Sequence, residues 1–112
     1  MFNEESILCA SNAYEEKFFF NPAYSTLPEA IKEELKIMCV LTTSEVGGIL
    51  IVGFEQDGTL YVSTTAAEDD LLYDEIGSAL KVKQLRSLRR ELFENLEMYY
   101  KTFVLGQPYM EE

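Results

Sequence analysis

The chain has 112 residues, with 20 acidic side chains against 9 Lys and Arg, and it contains no histidine. This length corresponds to a single domain spanning residues 1–112, and a hydrophobic content of 47% is enough for a core without disulfides. The net charge of −11 argues against non-specific binding to nucleic acids. The absence of histidine excludes Ser–His and Cys–His catalytic pairs as well as imidazole metal sites.

The two cysteines, Cys9 and Cys39, lie in apolar runs and lack CxxC spacing. They are interpreted as buried, reduced thiols, because a thiolate zinc site needs about four ligands. The N-terminus is acidic where a signal peptide is basic, and the longest apolar stretch, 47–54, is about half as long as a membrane helix. We therefore expect a cytoplasmic protein that does not span a membrane.

The first predicted elements are short. Residues 7–10 are compatible with a short strand. Asn12 and Glu15 match a capping box, in which each side chain satisfies a backbone N–H at a helix start. This pattern predicts a short helix to about Phe20, ended by Asn21-Pro22.

A stronger capping box begins at Thr26 and ends at Glu29. Apolar residues then recur at helical spacing, which predicts a long helix that ends at Gly47-Gly48. The run 37–43 is rich in β-branched residues, so the competing interpretation ends the helix at Lys36 and makes this run a strand.

A β-hairpin is predicted next, with strands over 49–55 and 59–65 joined by a turn at Asp57-Gly58. The first strand is apolar on both faces, which predicts a covered position in a sheet. Because two strands alone are only marginally stable, we expect a further strand from residues 7–10 or from a second subunit.

The last third is predicted to be helical. Thr65 to Glu68 forms a third capping box, which predicts a helix whose apolar side comprises Leu71, Leu72, Ile76 and Leu80. Gly77-Ser78 is the expected break before a long C-terminal helix that ends ahead of Gly106-Gln107-Pro108. The predicted seam of this helix comprises Leu85, Leu88, Leu92, Leu96, Tyr99 and Phe103. The expected fold class is α+β: a β-hairpin or small antiparallel sheet packed by three to four helices, with a long C-terminal helix.

Charge is unevenly distributed along the chain. Residues 1–80 carry 15 acidic and 3 basic side chains, whereas residues 81–112 carry 5 acidic and 6 basic ones. Lys83, Arg86 and Arg90 fall at helical spacing and form a candidate site for an anion or an acidic partner. A solvated helix face is the simpler interpretation, and nucleic acid is disfavoured by the surrounding negative charge.

Asp70 and Asp74 are four residues apart in an acidic cluster. On one helix face their carboxylates could hold Mg²⁺ or Ca²⁺, so they are the candidate metal ligands. The alternative is that acidic residues in the first turn of a helix interact favourably with its dipole and bind no metal.

Four runs of the sequence resemble a family of small, acidic, uncharacterised bacterial proteins. The runs are Leu8–Tyr14, Cys39–Gly48, Leu72–Ser78 and Glu91–Tyr100. The resemblance implies a single-domain bacterial cytosolic protein, and it carries over no activity, ligand or catalytic residue.

These observations predict a non-enzymatic interaction or regulatory module. We expect a homodimer formed through a sheet edge or through surface aromatic residues, because consecutive aromatic residues cannot all face one core. The sequence predicts no cofactor, catalytic residue, nucleic-acid partner or membrane partner. The alternative is a small anionic-ligand- or metal-binding protein or an enzyme, using Glu45, the Asp70 and Asp74 pair or the Lys83, Arg86 and Arg90 stripe.

Overall fold

A computed structural model of the chain describes residues 6–106. Within this range the fold is α+β, as predicted, with four strands and three α-helices. In chain order the elements are β1 (Ile7–Asn12), β2 (Lys17–Phe20), α1 (Glu29–Val46), β3 (Ile49–Phe54), β4 (Leu60–Thr65), α2 (Glu75–Leu88) and α3 (Arg90–Phe103). A short 3-10 helix, Pro22–Tyr24, connects β2 to α1.

The four strands form one antiparallel sheet in the order β2-β1-β3-β4. The predicted hairpin is confirmed as β3 and β4, which pair from Ile49 opposite Thr65 to Phe54 opposite Leu60. The strand that completes the sheet comes from the chain itself, because β1 lies between β2 and β3 and pairs with both.

The predicted helix over residues 12–20 is wrong. The Asn12 side chain does accept the backbone N–H groups of Tyr14 and Glu15, at 2.9 and 3.2 Å, as the capping pattern requires. The chain then turns back as β2, so that Phe20 lies opposite Cys9 and Phe18 lies opposite Ser11. A side chain that caps a helix can equally close a turn, and strand pairing decides the outcome here.

The long helix α1 is confirmed, and residues 37–43 are helical throughout. Gly47 ends it with a φ of 76°, and its N–H donates to the carbonyl of Thr43 at 2.8 Å. Thr26 does not cap this helix; its hydroxyl is instead hydrogen-bonded to the Tyr99 hydroxyl at 2.8 Å.

The predicted helix start at residues 65–68 is wrong, because α2 begins only at Glu75. The Asp74 side chain caps it by accepting the N–H of Gly77 at 2.9 Å. Consequently Gly77-Ser78 lies in the first turn of α2, and the break before α3 comes at Arg89. The C-terminal helix therefore has 14 residues, fewer than the 18 of α1, and Gln107-Pro108 lies outside the described residues.

The core lies between the sheet and the helices. Its fully buried members come from every layer: Leu8 and Val52 from the sheet, Leu35 from α1 and Leu96 from α3. The predicted seam is only partly buried, since Leu88 and Phe103 are 76% and 75% exposed. The break at Arg89 separates the two halves of that seam, so a single helical period does not describe both.

Strand β4 is one edge of the sheet, and Leu60 is its first residue. The N–H of Leu60 donates to a carboxylate oxygen of Glu97 at 2.7 Å, and its carbonyl accepts from the guanidinium of Arg86 at 3.5 Å. Side chains of α2 and α3 therefore occupy both backbone groups of this residue.

In the part of the chain that the structure describes, no helix combines the length and the apolar character needed to cross a membrane.

Candidate functional site

The chain between β4 and α2 forms an acidic segment, residues 66–75, with five carboxylates and no base. It is held against the turn between β1 and β2 by one tyrosine. The Tyr14 hydroxyl donates to a carboxylate oxygen of Asp70 at 2.6 Å and accepts the N–H of Ala67 at 3.0 Å. The far end of the segment is fixed by the cap of Asp74 on α2.

Tyr73 provides the remaining anchor of the acidic segment. Its hydroxyl is hydrogen-bonded to Ser78, whose side chain is 1% exposed. Its ring lies so close to Gly48 that a Cβ there would come within 2.7 Å of a ring carbon. Only glycine permits this approach, and Gly48 also has a φ of +74°. The ring and hydroxyl of Tyr73, together with the cap made by Asp74, fix the backbone of the acidic segment.

Leu71 and Leu72 point away from these anchors. They are 91% and 95% exposed, more than any other large hydrophobic residue in the described chain. The apolar surface continues onto α2, where Ile76 and Leu80, one turn apart, are 76% and 58% exposed. A segment held by hydrogen bonds thus presents two leucines to solvent beside an apolar helix face.

The hydrogen bond to Asp70 also changes the titration of Tyr14. Donation to the carboxylate favours the protonated phenol and raises its pKa above the ordinary value, although the N–H of Ala67 acts in the opposite direction. Tyr14 therefore remains a hydrogen-bond donor over the physiological pH range.

Asp70 and Asp74 do not share a helix face, so the geometric basis of the predicted metal pair is wrong. Asp70 lies in the acidic segment and accepts from Tyr14, whereas Asp74 caps α2. No group of three or more acidic or thiol side chains in residues 6–106 is arranged to hold a metal ion. Both carboxylates have structural partners that stabilise the acidic segment.

The predicted basic stripe is divided between two helices. Lys83 and Arg86 lie on α2, whereas Arg90 begins α3 beyond the break. All three are exposed, and none of them forms an ion pair with another described residue. We refer to these three residues, two in the second half of α2 and one at the start of α3, as the basic end. The guanidinium of Arg86 makes its long contact with the carbonyl of Leu60.

The other bases of this region tie α2 to α1. Lys81 forms an ion pair with Glu45 at 2.7 Å, and Arg89 forms one with Glu34 at 3.4 Å. Because Glu45 lies late in α1 and pairs with the earlier base, Lys81, whereas Glu34 lies early in α1 and pairs with the later base, Arg89, the two helices run antiparallel. Glu45, a candidate of the alternative enzyme hypothesis, thus has a structural partner.

A cavity open to solvent lies between the β1–β2 turn and α1. It measures about 740 Å³ and is lined by the bases Lys17 and Lys36 together with hydroxyls that include Ser44. No pattern in the sequence predicted these residues as a site, because two isolated lysines nineteen positions apart carry no local signal.

The surface aromatic residues expected from the sequence include Tyr14, Phe19 and Phe103, which are 45%, 51% and 75% exposed. Phe18 and Phe20 pack against the core from the opposite face of β2, and Tyr100 is buried. The prediction that Leu71 and Leu72 lie on the apolar side of a helix is wrong, because α2 begins only at Glu75 and both side chains face solvent. Their signal in the sequence was two leucines within ten residues that contain five carboxylates, a pattern that suits a solvated segment better than a core.

Neither the search of the curated proteins nor that of the solved structures found a significant match. The family model described as "Family of unknown function (DUF6145)" matches residues 5–108, which is nearly the whole chain. The described fold, with its acidic segment and basic end, lies within this match. The chain therefore belongs to the family of unknown function DUF6145.

Proposed function

We propose that this protein is a non-enzymatic interaction module, which acts by binding another protein chain and forms a homodimer. The observation that carries the proposal is the exposure of Leu71 and Leu72, at 91% and 95%, in a segment anchored by hydrogen bonds. Burying a leucine side chain contributes about 1.5–3 kcal/mol. Contiguous exposed apolar surface on a folded domain marks an interaction site.

The anchoring of the segment supports binding rather than chance exposure. Tyr14, Tyr73 and Asp74 order the backbone before any partner arrives. Ordering a loop on binding reduces affinity, so a segment that the fold already orders retains more of the energy of its contacts. The two leucines are therefore presented as a preformed docking element.

The cytoplasm is the proposed location of this module. Cys9 and Cys39 are free thiols whose sulfur atoms lie 3.8 Å apart in the core. Unbonded cysteines at such close range are typical of proteins from reducing compartments.

Sedimentation velocity of the wild type and of the double variant Leu71→Ser/Leu72→Ser tests the proposal. The wild type should show a concentration-dependent dimer between about 1 µM and 1 mM, the range of weak to moderate affinities. The double variant should lose it, because four leucines leave the interface of a two-fold dimer.

Phe103→Ser is the matched control, because this exposed apolar side chain lies at the end of α3, near Tyr99 and away from the acidic segment. It should leave the association unchanged. A double variant that associates as strongly as the wild type would refute the proposed role of the two leucines.

The alternative, a protein that binds a small anionic ligand, has one specific observation in its favour. The cavity of about 740 Å³ beside α1 has the size of small-molecule sites and contains Lys17 and Lys36. A thermal-shift screen with phosphorylated metabolites tests it, with Lys17→Gln/Lys36→Gln as the control variant. A ligand-dependent rise in melting temperature that the variant abolishes would support the alternative; a screen without such a rise would count against it.

A further inference from the structure

Two charged blocks of opposite sign lie at the two ends of α2. The acidic segment holds five carboxylates over residues 66–75, whereas residues 81–90 hold five bases and no acid. Within residues 6–106, the acidic residues Glu68, Asp69 and Glu75 form no ion pairs, and neither do the three residues of the basic end. Both blocks therefore present charge that the described fold leaves uncompensated.

Exposed apolar residues lie within and between these two blocks, and Ile76 and Leu80 separate them. Ile76 and Leu80 follow Leu71 and Leu72 along the chain, and Leu88, 76% exposed, lies at the far end of α2. Leu80 is close to the midpoint between the acidic segment and the basic end. The face of α2 thus has an acidic end, an apolar centre and a basic end.

We propose that two copies of the chain pair through antiparallel α2 helices, about a two-fold axis that passes near Leu80. This inference rests on the proposed function and specifies its partner and geometry. Antiparallel pairing brings the acidic segment of one copy to the basic end of the other, and the two-fold axis makes this contact twice. Leu80 then packs against Leu80 of the partner subunit and Ile76 lies opposite Gln84 of the partner subunit, while Leu71 and Leu72 reach towards Leu88 of the partner subunit.

Charge complementarity selects a second copy as the occupant of this surface. In this register Glu75 lies opposite Lys83 and Arg86 of the partner subunit, and the acidic segment, which precedes the helix, faces the basic end of the partner subunit. Complementary charges fix the register of an interface and exclude wrong partners. A parallel arrangement would instead place like charges together at both ends.

The rigidity of α2 supports the same arrangement. The ion pairs of Lys81 with Glu45 and of Arg89 with Glu34 hold the helix against α1 at its middle and at its C-terminal end. Two bases of the region are thereby neutralised within one chain, and the basic end remains available for intermolecular contact. The geometry of the face is set before association.

A charge-swap experiment tests this arrangement. One variant carries Glu68→Lys and Glu75→Lys, and the other carries Lys83→Glu and Arg90→Glu. Each variant alone places like charges at both ends of the interface, so its dimer Kd should rise by about 100-fold relative to the wild type. An equimolar mixture of the two should regain a heterodimer of near wild-type affinity, because both ends are complementary again.

The matched controls make the same changes of charge at exposed positions outside the acidic segment and the basic end. Glu33→Lys with Glu55→Lys, and Lys17→Glu with Lys36→Glu, should each dimerise as the wild type does. Circular dichroism and thermal melts establish that all variants are folded. Sedimentation velocity then gives the dimer Kd of each variant and of the mixture.

The outcomes separate the two proposals. If the charge variants dimerise like the wild type while Leu71→Ser/Leu72→Ser does not, the antiparallel arrangement is overturned and the interaction module stands. If the mixture stays monomeric, or the wild type is a monomer throughout, the antiparallel dimer is overturned. Loss of dimer in each variant with recovery in the mixture supports it.

Discussion

Leu35 and Leu72 are the same residue type at opposite extremes of exposure, 0% and 95%. Truncating each to alanine removes the same atoms, so any difference in stability comes from the surroundings alone. Leu35 lies on α1 in the core between the sheet and the helices. Leu72 lies in the acidic segment and has almost no surface buried by the fold.

The expected magnitudes derive from this contrast. Leu35→Ala removes fully buried methyl groups and leaves a cavity, which lowers the free energy of unfolding by about 2–5 kcal/mol. Leu72→Ala removes almost no buried surface from the monomer, so the free energy of unfolding should change by no more than about 0.5 kcal/mol. With an m-value of about 1.5 kcal/mol/M, the urea midpoint should fall by about 1–3 M for the first and by less than about 0.4 M for the second.

Urea unfolding followed by far-ultraviolet circular dichroism measures both variants at several protein concentrations. At the lowest concentration Leu72→Ala should match the wild type. At high concentration it should fall below the wild type, because a dimer stabilises the native state by mass action. If Leu72→Ala lowers the urea midpoint as much as Leu35→Ala does at low protein concentration, Leu72 is packed within the monomer and the reasoning is refuted.

Gly48→Ala should lower the melting temperature more than Gly47→Ala. Both residues have positive φ, but only at Gly48 would a Cβ meet other atoms, including a backbone oxygen of β4 at 2.5 Å; equal shifts would contradict this explanation. The raised pKa of Tyr14 stabilises the fold below the ordinary tyrosine value near 10, and this stabilisation is lost as the pH rises through the raised pKa. An ultraviolet difference titration of wild type against Tyr14→Phe should therefore show a midpoint above 10, and a midpoint at or below 10 would count against the hydrogen bond. Cys9 and Cys39 are both 0% exposed, and the hydrogen bond between them and burial raise the pKa of Cys9, so a thiol reagent should label them only after unfolding. Rapid labelling of the native protein would contradict the burial of both thiols.

The sequence correctly predicted the elements whose ends are set by residues at or next to those ends. The hairpin is indicated by Asp57-Gly58 between two β-rich runs, and α1 by its apolar spacing and the glycines that end it. The β-branched run 37–43 did not override this helix, because Met38, Cys39 and Thr42 bury one continuous face against the sheet.

Capping patterns were less reliable because they do not specify which element comes after them. Asn12 makes both hydrogen bonds of an N-cap, yet the chain continues as a strand that pairs with β1. At residues 65–68 the pattern precedes a turn instead of a helix, since the segment is held by Tyr14, which lies over fifty positions away. A long-range contact of this kind leaves no trace in local periodicity.

The candidate site was predicted only through its charges. The basic residues and the carboxylates were identified, but their division between the two ends of α2 depends on the helix starting at Glu75 and ending before Arg89. The sequence predicts Leu71 and Leu72 on the apolar side of a helix, because composition does not distinguish an apolar residue held in solvent from one in a core.

The occupied backbone groups of Leu60 bear on how the sheet can grow. An exposed edge strand offers its N–H and C=O groups to any incoming strand, and repeated additions of this kind build fibres. At the start of β4 those groups are already bound by Glu97 and Arg86, and the opposite edge, β2, is only four residues long. An incoming strand would therefore meet occupied backbone groups at Leu60 and only a short strand at β2, which disfavours growth of the sheet by strand addition.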